Sequence, residues 1–76
     1  MKEKVRELLE EIEPMEDFED DTELIESGLL DSLSIVYLVT RIEEDLGLYI
    51  EEKYVVPENF ENINAIVCLL EKLRSN

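Results

Sequence analysis

The sequence predicts an all-α fold: a small antiparallel helix bundle of three main helices plus one short helix between the last two. Two observations carry this. Three stretches place apolar residues at i, i+3, i+4 and i+7, each bounded by residues that start or stop helices. No stretch alternates apolar and polar residues for long enough to build a sheet. With 76 residues the chain is one domain, residues 1–76, too small for a deep cleft between layers.

The first helix runs over Lys2–Ile12. Val5, Leu8, Leu9 and Ile12 share one face, while Lys2, Glu3, Arg6, Glu7, Glu10 and Glu11 cover the other. Pro14 ends it, because the residue before a proline is pushed out of the helical region. Met15 to Leu30 has no sustained helical period and reads as a long connection. Phe18, Leu24, Ile25 and Leu29 are its candidate anchors, and Thr22 and Glu23 start a short turn that Gly28 closes. The run from Glu16 to Asp21 fails as a calcium loop: counted from Asp17, the sixth position is Thr22 and the twelfth is Gly28.

The second helix, Ser32–Leu46, carries two apolar stripes. Ile35, Leu38, Val39, Ile42 and Leu46 form a core face, and Gly47 is its stop. Leu33, Val36, Tyr37 and Thr40 form a second stripe, which points the opposite way at about 100° per residue. So short a chain cannot surround a helix. Leu33, Val36 and Tyr37 therefore mark a partly exposed contact surface, unless the acidic loop folds over them. Leu48 to Phe60 is a second connection. Pro57 opens a short helical turn there, and Tyr54, Val55, Val56 and Phe60 are anchors or the lining of a small apolar cavity. Asn62 caps the last helix, Ile63 to about Leu73, whose inner stripe is Ile63, Ile66, Val67, Leu70 and Leu73. Lys72 and Arg74 suit its negative C-terminal end, and Ser75 and Asn76 are expected to fray.

Charge excludes several functions. Seven Lys and Arg against 21 Asp and Glu give a net charge of −14. Nucleic acid and anionic membrane surfaces need clustered cations and are poor partners, whereas a basic protein is favoured. The chain has no histidine and one cysteine, Cys68. This rules out an internal disulfide, a Cys/His zinc site and a histidine-activated serine. Cys68 lies in an apolar run and is expected in the core. No signal-peptide or membrane-spanning pattern is visible, so the default is a soluble, cytoplasmic monomer. Stability is expected to be marginal and lowered by repulsion among carboxylates, which salt or magnesium should relieve.

The chemistry concentrates at Gly28-Leu29-Leu30-Asp31-Ser32-Leu33. Asp31 is a good N-cap, and Ser32 then lies at the helix start, beside the positive end of the dipole. A phosphate ester on its hydroxyl would be favourably placed there. The plainer reading is a helix cap and nothing more.

These residues resemble the acyl and peptidyl carrier proteins, whose arm is 4′-phosphopantetheine. The likeness covers nearly the whole chain. It rests on Asp31-Ser32-Leu33 after Leu24-Ile25-Glu26-Ser27-Gly28-Leu29-Leu30, on the second helix running to Glu43-Glu44-Asp45-Leu46, on Ile50, and on Pro57-Glu58-Asn59-Phe60 before Asn62-Ile63. The resemblance implies that Ser32 is the attachment residue, modified by a phosphopantetheinyl transferase with coenzyme A as donor. It implies that Asp31 helps position the metal and the serine in that complex. It also implies that Leu33, Val36 and Tyr37 meet the arm and partner enzymes. Those partners would be a ligase that loads an acyl or aminoacyl group as a thioester and a downstream acyltransferase or synthase.

The match has departures. Fatty-acid carriers of this kind have acidic residues where Ser34 and Tyr37 stand here, and Arg41 adds a cation further along. The likeness is therefore closer to stand-alone carriers of specialised pathways, including D-alanyl, aminoacyl or peptidyl and dedicated acyl carriers. The expected function is a covalently modified shuttle for fatty-acid-like, polyketide, nonribosomal peptide or D-alanylation chemistry, and not an enzyme. The alternative is an unmodified acidic helical interaction module. A metal-buffering role fits poorly with the failed loop count.

Overall fold

Helix α1 spans Lys2–Ile12, α2 Ser32–Leu46 and α3 Ile63–Ser75 in a computed structural model that describes residues 1–75. Each boundary has a local cause. At the end of α1 the Glu13 N–H closes on the Leu9 carbonyl at 2.9 Å, just before Pro14. Helix α2 stops at Gly47, whose φ of 66° lies in the left-handed region that costs glycine least. Its N–H returns to the Glu43 carbonyl at 3.0 Å. The Asn62 Oδ1 caps α3 by accepting the Ala65 N–H at 2.8 Å.

The short turn expected at Pro57 is the 3₁₀ turn Pro57–Asn59, and a second 3₁₀ turn, Glu52–Tyr54, precedes it. Pro57 holds Val56 extended (φ −128°, ψ 152°), so no helix can run across that bond. The two turns are joined by the Asn59 amide, which donates to the Tyr54 carbonyl at 2.8 Å. At the end of α3, Ser75 is helical and its hydroxyl donates to the Glu71 carbonyl at 3.0 Å. The expected fraying of Asn76 lies outside the described residues.

The core forms where the three helices meet. Val5, Leu8 and Leu9 of α1, Leu38 and Ile42 of α2, and Ile63, Ile66 and Leu70 of α3 are buried. Helix α1 packs against both α2 and α3, and the Pro57 turn packs on α3. Phe60 is fully buried as an anchor, with Tyr54 and Val55 packed against the cluster. Leu69 joins the buried face of α3, while Cys68 is exposed, contrary to the expectation of a core thiol. It lies two residues from both Ile66 and Leu70, about 200° around the helix from each.

The long first connection is tied down. Phe18, Leu24 and Leu30 are buried. Arg6 donates to the Phe18 carbonyl and pairs with Asp20 at 2.6 Å, and Lys2 reaches the same carboxylate at 2.9 Å. The Asp20 carbonyl accepts the Asn64 N–H at 3.2 Å. Lys2 and Arg6 thus hold the loop to the bundle. Their contact with Asp20, Lys2 first, keeps that carboxyl below its ordinary range. The turn ahead of Gly28 begins at Leu24, not Thr22.

The molecule measures 34 × 21 × 20 Å. Twenty ångströms is two helix diameters, so no helix is covered on every side. That leaves the second stripe of α2 outside. Among the described residues no helix is long and apolar enough to cross a membrane.

Among the described residues, six ion pairs engage Lys2, Lys4, Arg6, Arg41 and Lys53. Most of the 21 carboxylates have no such partner. Screening shortens the reach of their repulsion to about 3 Å at molar salt. Raising sodium chloride from tens of millimolar to half molar is therefore expected to raise the melting temperature by about 5 °C, the size of a gain near 1 kcal/mol in a domain this small. Circular-dichroism melts check it. A melting temperature that falls with salt would show that the ion pairs outweigh the repulsion.

Candidate functional site

Ser32 is delivered to the surface by a backbone clasp. The Leu24 N–H donates to the Glu61 carbonyl ahead of α3 at 2.8 Å, and the Leu24 carbonyl accepts the Leu30 N–H, also at 2.8 Å. Leu24 is fully buried and Leu30 nearly so, so both strands of the loop are anchored by side chain and backbone together. Between them Gly28 takes φ 84° and its N–H closes a turn on the Ile25 carbonyl at 3.1 Å. Two residues beyond Leu30 the chain enters α2, with Asp31 between them as its N-cap.

Sequence reasoning missed Leu30 and the clasp. Leu30 precedes the N-cap and Ile35 lies four positions beyond it, the spacing of a hydrophobic staple; Leu30 is in the core and Ile35 packs against it. That spacing was the available signal. The backbone bonds from Leu24 to Leu30 and Glu61 had none, since any residue supplies them.

Asp31 is extended (φ −109°, ψ −174°), and its Oδ1 accepts the Ser34 N–H at 2.9 Å. Its carbonyl accepts the Ile35 N–H at 2.9 Å, the first turn of the helix. The Ser34 N–H, then the Ser34 hydroxyl, hold the Asp31 carboxyl below its ordinary value of 3.8. A carboxyl depressed on folding stabilises the protein fully above that ordinary value and loses the contribution as pH falls through the lower folded value. The melting-temperature gap between the native chain and Asp31→Ala is therefore expected to stay constant from pH 7 to pH 5 and to close below about pH 4. A gap independent of pH would assign the effect to backbone preference instead of the charged cap.

The Ser32 hydroxyl is exposed and, among the described residues, has no hydrogen-bond partner. Leu33 is 81% exposed. On the turn above, Val36 is 58% and Tyr37 47% exposed, and Thr40 returns its hydroxyl to the Val36 carbonyl at 2.9 Å. The acidic loop does not cover this stripe. Val36 stands four residues above Ser32, and Tyr37 four above Leu33, so the serine and the apolar stripe share one accessible side of α2.

Below them Arg41 forms a node. Its Nη1 donates to Glu11 on α1 at 2.7 Å and to the Tyr37 hydroxyl oxygen at 3.1 Å. Its Nη2 reaches Asp45 at 3.5 Å, and Lys4 of α1 meets the same carboxylate at 3.4 Å. The guanidinium carbon also lies 5.9 Å from the Tyr37 ring centroid. Tyr37 and then Glu11 raise the Arg41 pKa further above its usual value, so the cation is permanent. Its charge faces two carboxylates and is not a free positive spot on the contact face.

The site offers a reachable primary alcohol and no means of activating it. The chain has no histidine, and Asp31 is a carboxylate weakened as a base by its cap bonds. Among the described residues no group of three or more acidic, histidine or cysteine side chains is arranged to hold a metal ion. Such a hydroxyl at the positive end of a 15-residue helix, open to solvent, fits a phosphate ester made by another protein's machinery.

The comparisons with known proteins agree with that chemistry. The family model described as "Phosphopantetheine attachment site" matches residues 3–67. No curated protein matches the chain. Seven chains of solved structures do. One of them, from a structure described as "Crystal structure of FAD-dependent dehydrogenase", is 34% identical, with a TM-score of 0.75 over 87% of this chain and 96% of that chain. With the family model spanning most of the molecule, and the exposed serine at the start of α2 suited to the ester, this chain belongs to the phosphopantetheine-attachment family, whose members carry a covalently bound 4′-phosphopantetheine.

Proposed function

We propose that the protein is a carrier that holds acyl or aminoacyl groups for other enzymes, with Ser32 as the point of attachment. The observation that supports this most is the combination at residue 32: an exposed serine, its hydroxyl without a partner among the described residues, at the first position of a long helix that the Leu24–Leu30 clasp fixes in place. The arm, once attached, supplies a terminal thiol that holds the cargo as a thioester. Everything else the chain does is presentation. The Ser32 Oγ–phosphorus bond forms as the phosphoanhydride of coenzyme A breaks and adenosine 3′,5′-bisphosphate leaves, and the hydroxyl proton goes to a base in the transferase, since the chain provides none. Asp31 stays ionised beside the reacting oxygen and is available to a metal ion brought in by that enzyme. In this reading the protein is a substrate and not a catalyst.

The contact stripe supports a specialised acyl or aminoacyl cargo over docking to a fatty-acid synthase by charge. Ser34 and Tyr37 stand on α2 where acidic residues would serve charge-driven docking, and Leu33, Val36 and Tyr37 present apolar surface instead. The likeness to a chain of a structure described as an FAD-dependent dehydrogenase supports a flavin enzyme among the partners. The test is intact mass before and after incubation with coenzyme A, magnesium and a broad-specificity phosphopantetheinyl transferase. A single phosphopantetheine increment is expected. A folded, initially unmodified chain that gains none would instead be an acidic interaction module.

A further inference from the structure

We propose that Arg41 is a positioning residue for the docking face: its guanidinium fixes Tyr37, so that the surface met by an enzyme at Ser32 is set before contact. The inference rests on the carrier reading. Tyr37 is half exposed and would otherwise sample several rotamers, and ordering such a side chain on binding weakens affinity. Here its hydroxyl oxygen accepts from Arg41 at 3.1 Å and the guanidinium carbon lies 5.9 Å from its ring centroid. The fork is itself immobilised. Glu11 on α1 holds Nη1 at 2.7 Å, and Asp45, gripped from α1 by Lys4 at 3.4 Å, takes Nη2 at 3.5 Å. The orientation of Tyr37 is thereby referred to α1, the helix that also packs on α3.

Any enzyme that brings its active centre to Ser32 meets this residue. A specific interface covers about 800 Å² per partner. The chain exposes 4900 Å² in all, so such a footprint is a substantial share of the surface. Tyr37 stands only about one and a half helical turns from Ser32, roughly 7.5 Å along the axis. A planar two-nitrogen fork can grip carboxylates and the phenol together, which a lysine ammonium cannot do in the same geometry.

The test is initial-rate kinetics of phosphopantetheine transfer from coenzyme A by a broad-specificity transferase, with the carrier as the varied substrate. Arg41→Ala and Tyr37→Phe are each expected to raise KM about fivefold, the scale of one lost hydrogen bond, with kcat within about twofold of native. The double variant is expected to be no worse than either single one, because both remove the same contact. Arg41→Lys keeps the charge without the fork and stays elevated. Lys2→Ala, which breaks a comparable ion pair to Asp20 elsewhere, lowers the melting temperature and leaves KM unchanged. Tyr37→Phe leaves every ion pair in place, so its result stands even if Arg41→Ala folds poorly. Multiplicative KM effects in the double variant, full recovery by Arg41→Lys, or a native KM in Tyr37→Phe would each overturn the inference while leaving the carrier reading intact. A native chain that takes no increment overturns the carrier reading and this inference with it.

Discussion

Ser32→Ala is expected to abolish phosphopantetheine incorporation, while Ser34→Ala is expected to retain it. The chain has four serines, and their surroundings separate them. The Ser27 hydroxyl faces the Leu24 carbonyl at 3.5 Å and that of Ser75 donates to Glu71 at 3.0 Å. Ser34 is half-buried, and its N–H serves the Asp31 carboxylate as the helix cap. Only the Ser32 hydroxyl is exposed at the helix start with no partner among the described residues. The substitution removes an exposed oxygen and puts the best helix former at the first helical position, so stability should change by less than about 0.5 kcal/mol. Mass spectrometry of the treated variant, with circular dichroism to show the native helix content, reads the result. An increment that persists in folded Ser32→Ala would move the attachment to another side chain.

Phe60→Ala is expected to leave the chain largely unfolded at 25 °C. Phe60 is the largest fully buried side chain, and it lies in the chain between the Pro57 turn and α3. Truncating a buried phenylalanine costs about 3–5 kcal/mol. A 76-residue domain has about 4–11 kcal/mol in total at the usual per-residue stability, and this one also bears strong self-repulsion. The loss therefore approaches the whole reserve. Urea titration followed by far-ultraviolet circular dichroism measures it. A variant with native midpoint and slope would show that the segment from Glu52 to Phe60 contributes little to the cooperative unit. Half molar salt should recover part of the helix content, since it acts on the carboxylates and not on the cavity.

The helices were legible because their signals are local. The stripe of Val5, Leu8 and Leu9, the Asp31 and Asn62 caps and the stop at Gly47 lie within one or two turns of the residues they govern, and each is where the pattern put it. The same holds for the Ser32 position, which follows from a cap and a helix start. Where the reading failed, the cause was non-local or competed with a local signal. Cys68 sits in an apolar run, yet helical phase carries it away from Ile66 and Leu70. Lys2 and Arg6 lie on the polar face of α1 as the pattern places them, but their partner Asp20 is brought by the loop and has no local signal. Pro57 opens the short turn its residue type predicts, but the preceding turn, Glu52–Tyr54, carries no comparable local signal.

The sequence by itself determined three helices, a serine at the start of the second, and a second apolar stripe that a chain this short could not bury. Periodicity, capping and chain length set those features, and none needs knowledge of what lies across the core. Only the tertiary structure decided that the loop leaves Leu33, Val36 and Tyr37 open, that Leu24 links Leu30 to Glu61, and that Arg41 joins Tyr37 to Glu11. Those contacts span up to 37 residues of chain, and a side chain's partner at that distance depends on how the helices pack, which no local pattern encodes.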